Sequence, residues 1–201
     1  MSILLTRKSI RKYNENHIIH RNELEEIIEI ANRAPSSQNL QPTRLVVIES
    51  NEAKEKVRET LYGNHLQLDT ASAFIVLFTD INKYRHTEKI LNSSVEHGTM
   101  THEIKEKQSK NIAHVQSFLT EEKILQDGIL DAGLYAMQLM LAAKDKGYDT
   151  CPIGGFNKSI INEKLGIESN LKPVLIISLG KADEDGFDSI RLPLEDIVTY
   201  L

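Results

Sequence analysis

The sequence predicts a single α+β domain in which a small sheet is surrounded by a larger helical part. Three short runs rich in β-branched and other apolar residues, at 45–48, 74–78 and 174–179, have the length and composition of buried strands. Helical patterns occupy much of the chain between them. The 201 residues are 40% hydrophobic, which is enough for one core, and no linker divides the chain. We therefore expect one domain over residues 1–201.

Near the N-terminus, a serine lies among four cations, which are Arg7, Lys8, Arg11 and Lys12. If this segment is helical, Arg7 and Arg11 lie one turn apart, and both guanidinium groups can close on one phosphate while Ser9 adds a hydrogen bond. The segment is then an anion-binding site. The alternative is a short basic run that is simply solvated.

A helix with one apolar face follows, capped by Asn22 and ended by Pro35. The polar segment, residues 34–42, comes next and contains Pro35 and Pro42. Because each proline restricts its own φ and the residue before it, this segment is stiff, and its hydroxyl and carboxamide groups can face a common partner. The alternative is an ordinary polar turn.

The middle of the chain is mainly helical in pattern. Residues 52–62 form a charged helical stretch between the first two strands. Residues 83–118 are polar and loosely helical without a strong apolar stripe, which predicts a helical lid or a segment that lines a pocket. Four acidic residues within or just before this segment are interpreted as solvated, as charges on a polar helical segment usually are. They are Asp80, Glu88, Glu96 and Glu103.

Residues 128–143 carry only Asp131 and Gln138 as clearly polar side chains, so a helix here must be buried on most sides. This helix is too short and too interrupted to span a bilayer, which needs about 20 apolar residues. We therefore expect burial against a second subunit. The alternative is the central helix of a monomer.

Composition and spacing exclude several classes of function. A net charge of -5 argues against a nucleic-acid binder, which needs a larger basic surface. Cys151 has no partner for an intrachain disulfide and is interpreted as a packing residue. The first residues lack the apolar stretch of a secretory signal, so we expect a cytoplasmic protein. The seven histidines lack metal-binding spacing, and neither a metal site nor a Rossmann site is expected.

The ordered segments resemble the nitroreductase family of flavin mononucleotide (FMN) enzymes. The family motif Arg-x-Ser-Ile-Arg-x-aromatic is present at residues 7–13, and the motif Ala-Pro-Ser-Ser-x-Asn-x-Gln-Pro is present at residues 34–42. The similarity continues at 64–67, 131–140, 147–156, 179–181 and 191–193. The chain departs from the family pattern at Thr43, where tryptophan is common, and at Ser189, where lysine is common.

The resemblance implies a central, mostly antiparallel sheet flanked by helices. It also implies an intertwined homodimer in which the C-terminal tail, residues 192–201, is exchanged between subunits. FMN is expected to bind tightly and non-covalently at the subunit interface. The residues implied for cofactor binding are Arg7, Lys8, Ser9, Arg11, Pro35, Ser36, Ser37, Asn39, Asn64, Gln67, Pro152, Ile153, Gly154, Gly155 and Arg191.

Within that set, the resemblance implies different roles for different segments. The phosphate and ribityl end is expected at Arg7, Ser9 and Arg11, with Arg191 as a further cation. Asn64 and Gln67 are expected at the pyrimidine edge or the ribityl hydroxyls. Residues 152–155 are expected beside the ring, and Pro35, Ser36, Ser37 and Asn39 are expected to reach the flavin from the partner subunit.

The implied activity places the chemistry on the cofactor, so no catalytic side chain is expected beyond the backbone N–H of Gly155 near flavin N5. NADH or NADPH reduces the flavin, and a nitroaromatic or quinone-type acceptor then takes two electrons in a ping-pong reaction. The alternatives are enone reduction, reductive dehalogenation or flavin breakdown on the same scaffold, and a non-catalytic flavin-binding protein. No nucleic-acid or membrane partner is expected.

Overall fold

The structure is a computed structural model that describes residues 2–201, and its centre is one four-stranded sheet. The strands are β1 (Thr43–Ile48), β2 (Ala73–Asp80), β3 (Asp149–Ile153) and β4 (Leu171–Gly180). They lie in the order β1-β2-β4-β3, and every neighbouring pair is antiparallel. The predicted α+β class and the antiparallel sheet are confirmed.

Helices surround the sheet and connect its strands. The helices are α1 (Ile3–Thr6), α2 (Arg21–Ala31), α3 (Asn51–Arg58), α4 (His65–Thr70), α5 (Thr87–Glu96), α6 (His102–Gln116), α7 (Glu121–Asp145), α8 (Ile161–Leu165) and α9 (Leu194–Ile197). Short 3₁₀ turns lie at Ser37–Asn39 and Lys83–His86. Among residues 2–201, no helix is both long enough and apolar enough to cross a bilayer.

Strand β2 is buried along its whole length because helices cover both faces of the sheet. Successive side chains of a strand point to opposite faces. Ile75 and Leu77 therefore join a core with α2 and α7, whereas Phe74 and Val76 join a second core with α3, α4 and α8. The result is a sheet between two helical layers.

Helix α7 packs closely on this sheet. At Gly128, a Cβ atom would lie 2.2 Å from Oγ1 of Thr79, so only glycine fits where the helix crosses β2. The opposite face of α7 leaves Leu130, Leu134 and Met137 between 41% and 66% exposed. The single chain therefore buries one face of this helix rather than most sides of it, and burial of the other face against a second subunit stays a prediction.

Three local details differ from the sequence prediction. Helix α2 follows His20 rather than Asn22, and the backbone N–H of His20 donates to Glu23 at 3.4 Å. The same helix ends at Ala31, before Pro35 is reached. The sequence pattern does not predict strand β3.

Residues 83–118 form the helical hairpin, which consists of the second 3₁₀ turn, α5 and α6. Leu91 of α5 and Ile112 of α6 pack with Leu40 of the polar segment. The hairpin is thus anchored beside that segment, and its role as a lid stays a prediction.

Candidate functional site

The basic segment, residues 7–13, is extended rather than helical. Ser9 pairs with Thr150 of β3, and the N–H of Ile10 donates to the carbonyl of Thr150 at 3.1 Å. The expectation that Arg7 and Arg11 lie one helical turn apart is therefore wrong, because pairing with β3 determines the conformation. Every second residue of an extended segment faces the same way, so Arg7, Ser9 and Arg11 can still act on one ligand.

Cys151 of β3 is a buried free thiol that lies near four of the predicted site residues. Burial raises the pKa of this thiol, and four neighbouring groups oppose the rise. They are the charges of Arg11 and Arg7 and the polar side chains of Gln67 and Ser9. These four neighbours bring the basic segment close to Gln67 of α4.

Arg7 carries a buried donor without an acceptor. Nη1 of its guanidinium group has no hydrogen-bond partner among residues 2–201. A buried unpaired donor costs about 1–3 kcal/mol, so this atom is suited to an anionic ligand. Lys8 is engaged elsewhere, since its ammonium group pairs with Asp188 at 2.7 Å. The guanidinium group of Arg11 lies 5.2 Å from the ring centroid of Phe187.

Two carboxamides lie beside the backbone of residues 152–155. Oδ1 of Asn64 accepts a hydrogen bond from Nε2 of Gln67 at 2.9 Å. The N–H of Tyr62 donates to the carbonyl of Gly155 at 3.1 Å, which joins the two segments. A Cβ atom on Gly155 would lie 3.8 Å from Nδ2 of Asn64, whereas a Cβ atom on Gly154 would meet nothing within 4 Å. Gly154 therefore borders open space.

The residues described above form one group, which is called the group around Arg7. Its donors and acceptors suit a ligand with an anionic end and a planar polar end. Guanidinium groups bind phosphate through charge-assisted hydrogen bonds. Carboxamides offer a donor and an acceptor to an amide-like ring edge. A backbone strip without side chains at its two glycines allows a flat ring to approach closely. An FMN molecule has these features, and the residues present fit it.

The polar segment is held in place by α7. The N–H of Ser37 donates to Oδ1 of Asp131 at 2.9 Å, and the N–H of Gln41 donates to Oγ of Ser36 at 3.0 Å. Asp131 is buried, and its other carboxylate oxygen lies 3.8 Å from the buried ammonium group of Lys83. The buried Lys83–Asp131 ion pair therefore fixes the carboxylate that binds the polar segment.

Unusual backbone conformations coincide with the predicted cofactor segments. Between residues 2 and 201, the non-glycine residues with positive φ are Gln38 (53°), Asn39 (55°), Gln41 (48°) and Asn64 (62°). Such a conformation costs about 1–3 kcal/mol and persists where the surrounding structure enforces it, often at a ligand site. Three of these residues belong to the polar segment, and the fourth precedes α4.

The structure divides the predicted site residues between opposite edges of the sheet. The polar segment leads into β1, whereas the basic segment pairs with β3, and these are the outer strands. Three strand spacings, about 14 Å, separate the two edges. One edge brings together Arg7, Ser9, Arg11, Asn64, Gln67, Pro152, Ile153, Gly154 and Gly155. In one chain, Pro35, Ser36, Ser37 and Asn39 lie at the other edge.

Arg191 is apart from both groups. It lies in the exposed tail, and within the described residues its guanidinium group bonds only to the carbonyl of Ile190, at 3.2 Å. The tail passes the basic segment earlier, where Asp183 and Asp188 pair with Lys12 and Lys8.

Sequence reasoning missed the role of two buried carboxylates. The expectation that Asp80 is solvated is wrong, because this residue is fully buried and accepts from Nδ2 of Asn170 at 2.9 Å and from Nη2 of Arg85 at 3.1 Å. It is the last residue of the buried strand β2, and this position determines its environment. The sequence does indicate that Asp131 has a buried partner, because a single carboxylate in an apolar helix requires one. Lys83 carried no such signal.

A comparison with known protein families tests the resemblance that was inferred from the sequence. The sequence model of the Nitroreductase family matches residues 4–181. The chain belongs to the nitroreductase family. The resemblance inferred from the basic and polar segments is thereby confirmed, and the fold is the one expected for a member of this family.

Several nitroreductase-family proteins match this chain over nearly its full length. YdgI of Bacillus subtilis, by name an NAD(P)H nitroreductase, is 42% identical over an alignment of 205 positions that covers 100% of this chain and 96% of that protein. The CLA biosynthesis enone reductase of Lactiplantibacillus plantarum is 29% identical and covers 99% and 93% of the two chains. A crystal structure from Exiguobacterium sibiricum, by name a nitroreductase in complex with FMN, has a TM-score of 0.96 at 38% identity and covers 99% and 95%.

Proposed function

We propose that this member of the nitroreductase family is an FMN-dependent oxidoreductase. It uses NADH or NADPH to reduce nitroaromatic or quinone-type acceptors in two-electron steps. The proposal rests on the buried, unpaired Nη1 of Arg7. This atom lies at the same edge of the sheet as the backbone of Gly154, which borders open space. The FMN complex of the Exiguobacterium sibiricum relative supports the choice of cofactor.

In this proposal, Arg7, Ser9 and Arg11 bind the phosphate of FMN. A phosphate monoester carries nearly two negative charges at neutral pH, and two guanidinium groups can neutralise them. The unpaired nitrogen of Arg7 gains the acceptor that the chain does not provide. Lys8 contributes less than expected from the sequence, because Asp188 already neutralises it.

The other end of the cofactor is assigned to the carboxamides and the backbone strip. Asn64 and Gln67 bind the pyrimidine edge or the ribityl hydroxyls, since each offers both a donor and an acceptor. The ring lies along residues 152–155, where Gly154 leaves room for it. The N–H of Gly155 is the proposed donor to flavin N5.

A second copy of the chain supplies the polar segment. The sheet separates this segment from the basic segment of the same chain, so one chain presents only half of the expected contacts. Helix α7 exposes Leu130, Leu134 and Met137, and the tail exposes Ile190 and Leu192. Apolar surfaces of this kind are typical of subunit interfaces. In a two-fold homodimer, each polar segment can meet the basic segment of the partner.

The residues of the site act by binding and positioning. When bound, FMN accepts a hydride from the reductant and delivers two electrons to the acceptor. The group around Arg7 contains guanidinium, hydroxyl, thiol and carboxamide side chains, so it holds the cofactor and stabilises its charge. Asp131 acts through the backbone of Ser37 and fixes the polar segment.

Enone reduction is the second candidate activity. The observation that favours it is the match to the enone reductase of Lactiplantibacillus plantarum over 99% of this chain. The same bound cofactor and the same reductant serve both activities, so the two candidates differ only in the acceptor.

The test is the visible absorption spectrum of the purified protein before and after anaerobic addition of NADH or NADPH. Chromatography of the released chromophore identifies the flavin. We expect bound FMN that bleaches with the nicotinamide nucleotide and recovers when a nitroaromatic, a quinone or an enone is added. The three acceptors are supplied separately, so the rates of recovery rank the candidate activities.

Two outcomes would contradict the proposal. A flavin that binds but is not reduced by either nucleotide, while dithionite reduces it, indicates a non-catalytic flavin-binding protein. A folded protein that binds no FMN after reconstitution contradicts the cofactor assignment itself.

A further inference from the structure

A cavity opens between the polar segment and the helical hairpin. Its volume is about 720 Å³, and Asn39 and Gln41 form part of one wall while α5 forms the other. Pockets that bind small molecules usually measure about 300–1,000 Å³. This cavity, called the basic cleft below, is therefore large enough for a nucleotide-sized group.

The lining of the basic cleft is cationic. Arg33 and Lys89 contribute positive charges, and His86 and His97 contribute imidazoles. Arg44 adds a guanidinium group that is paired with the buried carboxylate of Asp80 at 3.9 Å, and no carboxylate lines the cleft itself. A cavity with several cations and no lining carboxylate attracts anionic groups. The basic cleft thus differs from the rest of the surface, since the protein as a whole carries a net charge of -5.

The cations of the basic cleft fall into two classes. Nη1 of Arg44 donates to the carbonyls of Gln41 at 2.7 Å and Thr43 at 2.8 Å, so this guanidinium group is fixed in the wall. Arg33 and Lys89 are exposed, and the side chain of neither forms an ion pair or a hydrogen bond with the other described residues. They are the charges that a ligand can engage without breaking a contact of the chain.

We propose that the basic cleft binds the phosphate-bearing adenosine half of the nicotinamide nucleotide. This inference rests on the proposed function. Asn39 belongs both to the turn that is assigned to the flavin and to the wall of the basic cleft. A reductant whose nicotinamide lies over the flavin can therefore extend past this turn and place its phosphates beside Arg33 and Lys89.

The charge of the nucleotide distinguishes it from the acceptors. Nitroaromatic and quinone-type acceptors are compact and need no cationic cleft. The diphosphate of NADH carries two negative charges, and the additional 2′-phosphate of NADPH carries nearly two more. Either phosphate group matches the guanidinium and ammonium groups of the basic cleft.

Titration calorimetry on the FMN-loaded protein tests the inference. The probes are ADP, adenosine 2′,5′-bisphosphate and neutral adenosine. Bound FMN occupies the proposed phosphate site at Arg7, so the probes cannot report on that site. We expect at least one phosphorylated probe to bind more tightly than adenosine. The double variant Arg33→Ala/Lys89→Ala should weaken that binding by about tenfold to a hundredfold.

The control is Lys107→Ala, which removes an exposed cation from α6 of the same hairpin but outside the basic cleft. This variant should bind the probes like the unmodified protein. In the double variant, weaker binding of both phosphorylated probes assigns the diphosphate to the cleft. Weaker binding of adenosine 2′,5′-bisphosphate alone assigns the 2′-phosphate, and the KM for NADPH should then rise while the KM for NADH stays constant.

The inference is overturned if adenosine binds as tightly as both phosphorylated probes, or if the double variant binds all probes like the unmodified protein. The titration involves no turnover. A protein that binds the probes as expected but whose flavin is not reduced would therefore contradict the proposed function rather than the cleft.

Discussion

The side chain of Arg7 combines a local cost with a proposed function. Most surface arginines keep their guanidinium groups in water, but Nη1 of Arg7 is buried and has no acceptor within the described chain. The desolvation cost lowers the stability of the protein without ligand by about 1–3 kcal/mol. A bound phosphate would supply the acceptor. The same atom would therefore destabilise the free protein and strengthen the proposed binding of an anion.

We predict that Arg7→Met changes stability and cofactor affinity in opposite directions. Methionine fills the space without a buried unpaired donor, so the free energy of unfolding of the FMN-free protein should rise by about 1 kcal/mol. FMN binding should weaken at least about tenfold, because a charge-assisted contact is lost. Urea unfolding measures the first quantity, and quenching of FMN fluorescence measures the second.

The control for this change is Lys107→Met, which removes an exposed cation far from the site in sequence and should alter neither quantity. An unchanged affinity for FMN in Arg7→Met would refute the phosphate assignment. A large loss of stability in the FMN-free protein would show instead that Arg7 serves packing.

At the scale of elements, the sequence predicts what local pattern determines. The runs at 45–48, 74–78 and 174–179 lie in β1, β2 and β4, because dense β-branched and aromatic residues are needed for a strand covered on both faces. The sequence does not predict strand β3, because Asp149 and Pro152 interrupt its apolar pattern. It is a strand because it pairs with β4 at the edge of the sheet.

The same distinction between local pattern and contacts with distant segments applies to the candidate site. Sequence motifs could identify the residues of the basic and polar segments, since each motif is a compact local signal. They could not show that the basic segment is extended, because pairing of Ser9 with Thr150 of a distant strand determines that conformation. The support of Ser37 by Asp131 and Lys83 is likewise a contact between three segments that are distant in sequence.

The Lys83–Asp131 ion pair joins α7, the helical hairpin and the polar segment. We predict that Asp131→Asn lowers the free energy of unfolding by about 3 kcal/mol, because Lys83 is left buried without a counter-charge. The amide oxygen can still accept from Ser37, so the change isolates the ion pair. The double variant Asp131→Asn/Lys83→Met should lose less than the sum of the single variants, as urea unfolding can measure.

An exposed ion pair on the same helix provides the comparison. Lys123 and Asp127 lie one turn apart on α7 in partly exposed positions, so Asp127→Asn should cost no more than about 0.5 kcal/mol. Equal effects of Asp131→Asn and Asp127→Asn would mean that the buried pair has no special role. Additive effects of the Asp131 and Lys83 variants would show that the two groups do not interact.

At the scale of the whole molecule, the arrangement of the sheet divides the site. The basic segment lies beside β3 and the polar segment beside β1, with two strands between them. Sequence motifs name both halves but contain no information about this separation, which comes from the strand order. The proposed site, completed by two copies of the chain, would account for both halves and for the exposed apolar face of α7.

Two defective variants should therefore restore each other's function. Arg7→Met damages the basic segment, and Ser37→Trp adds bulk to the exposed polar segment while keeping the backbone N–H that binds Asp131. Each variant alone should bind little FMN. If chains pair at random after joint refolding, half of the dimers contain both variants, and each has one intact site. About a quarter of all sites should then bind flavin that NADH or NADPH can reduce.

The measurement is the amount of reducible FMN per chain in the jointly refolded mixture, compared with each variant refolded alone. Variants that are mixed after separate refolding serve as the control, since stable dimers do not exchange chains quickly. If both halves of a site came from one chain, every site in the mixture would carry one defect, and the reducible flavin would stay at the level of the single variants. Recovery to about a quarter requires that each flavin contacts two chains.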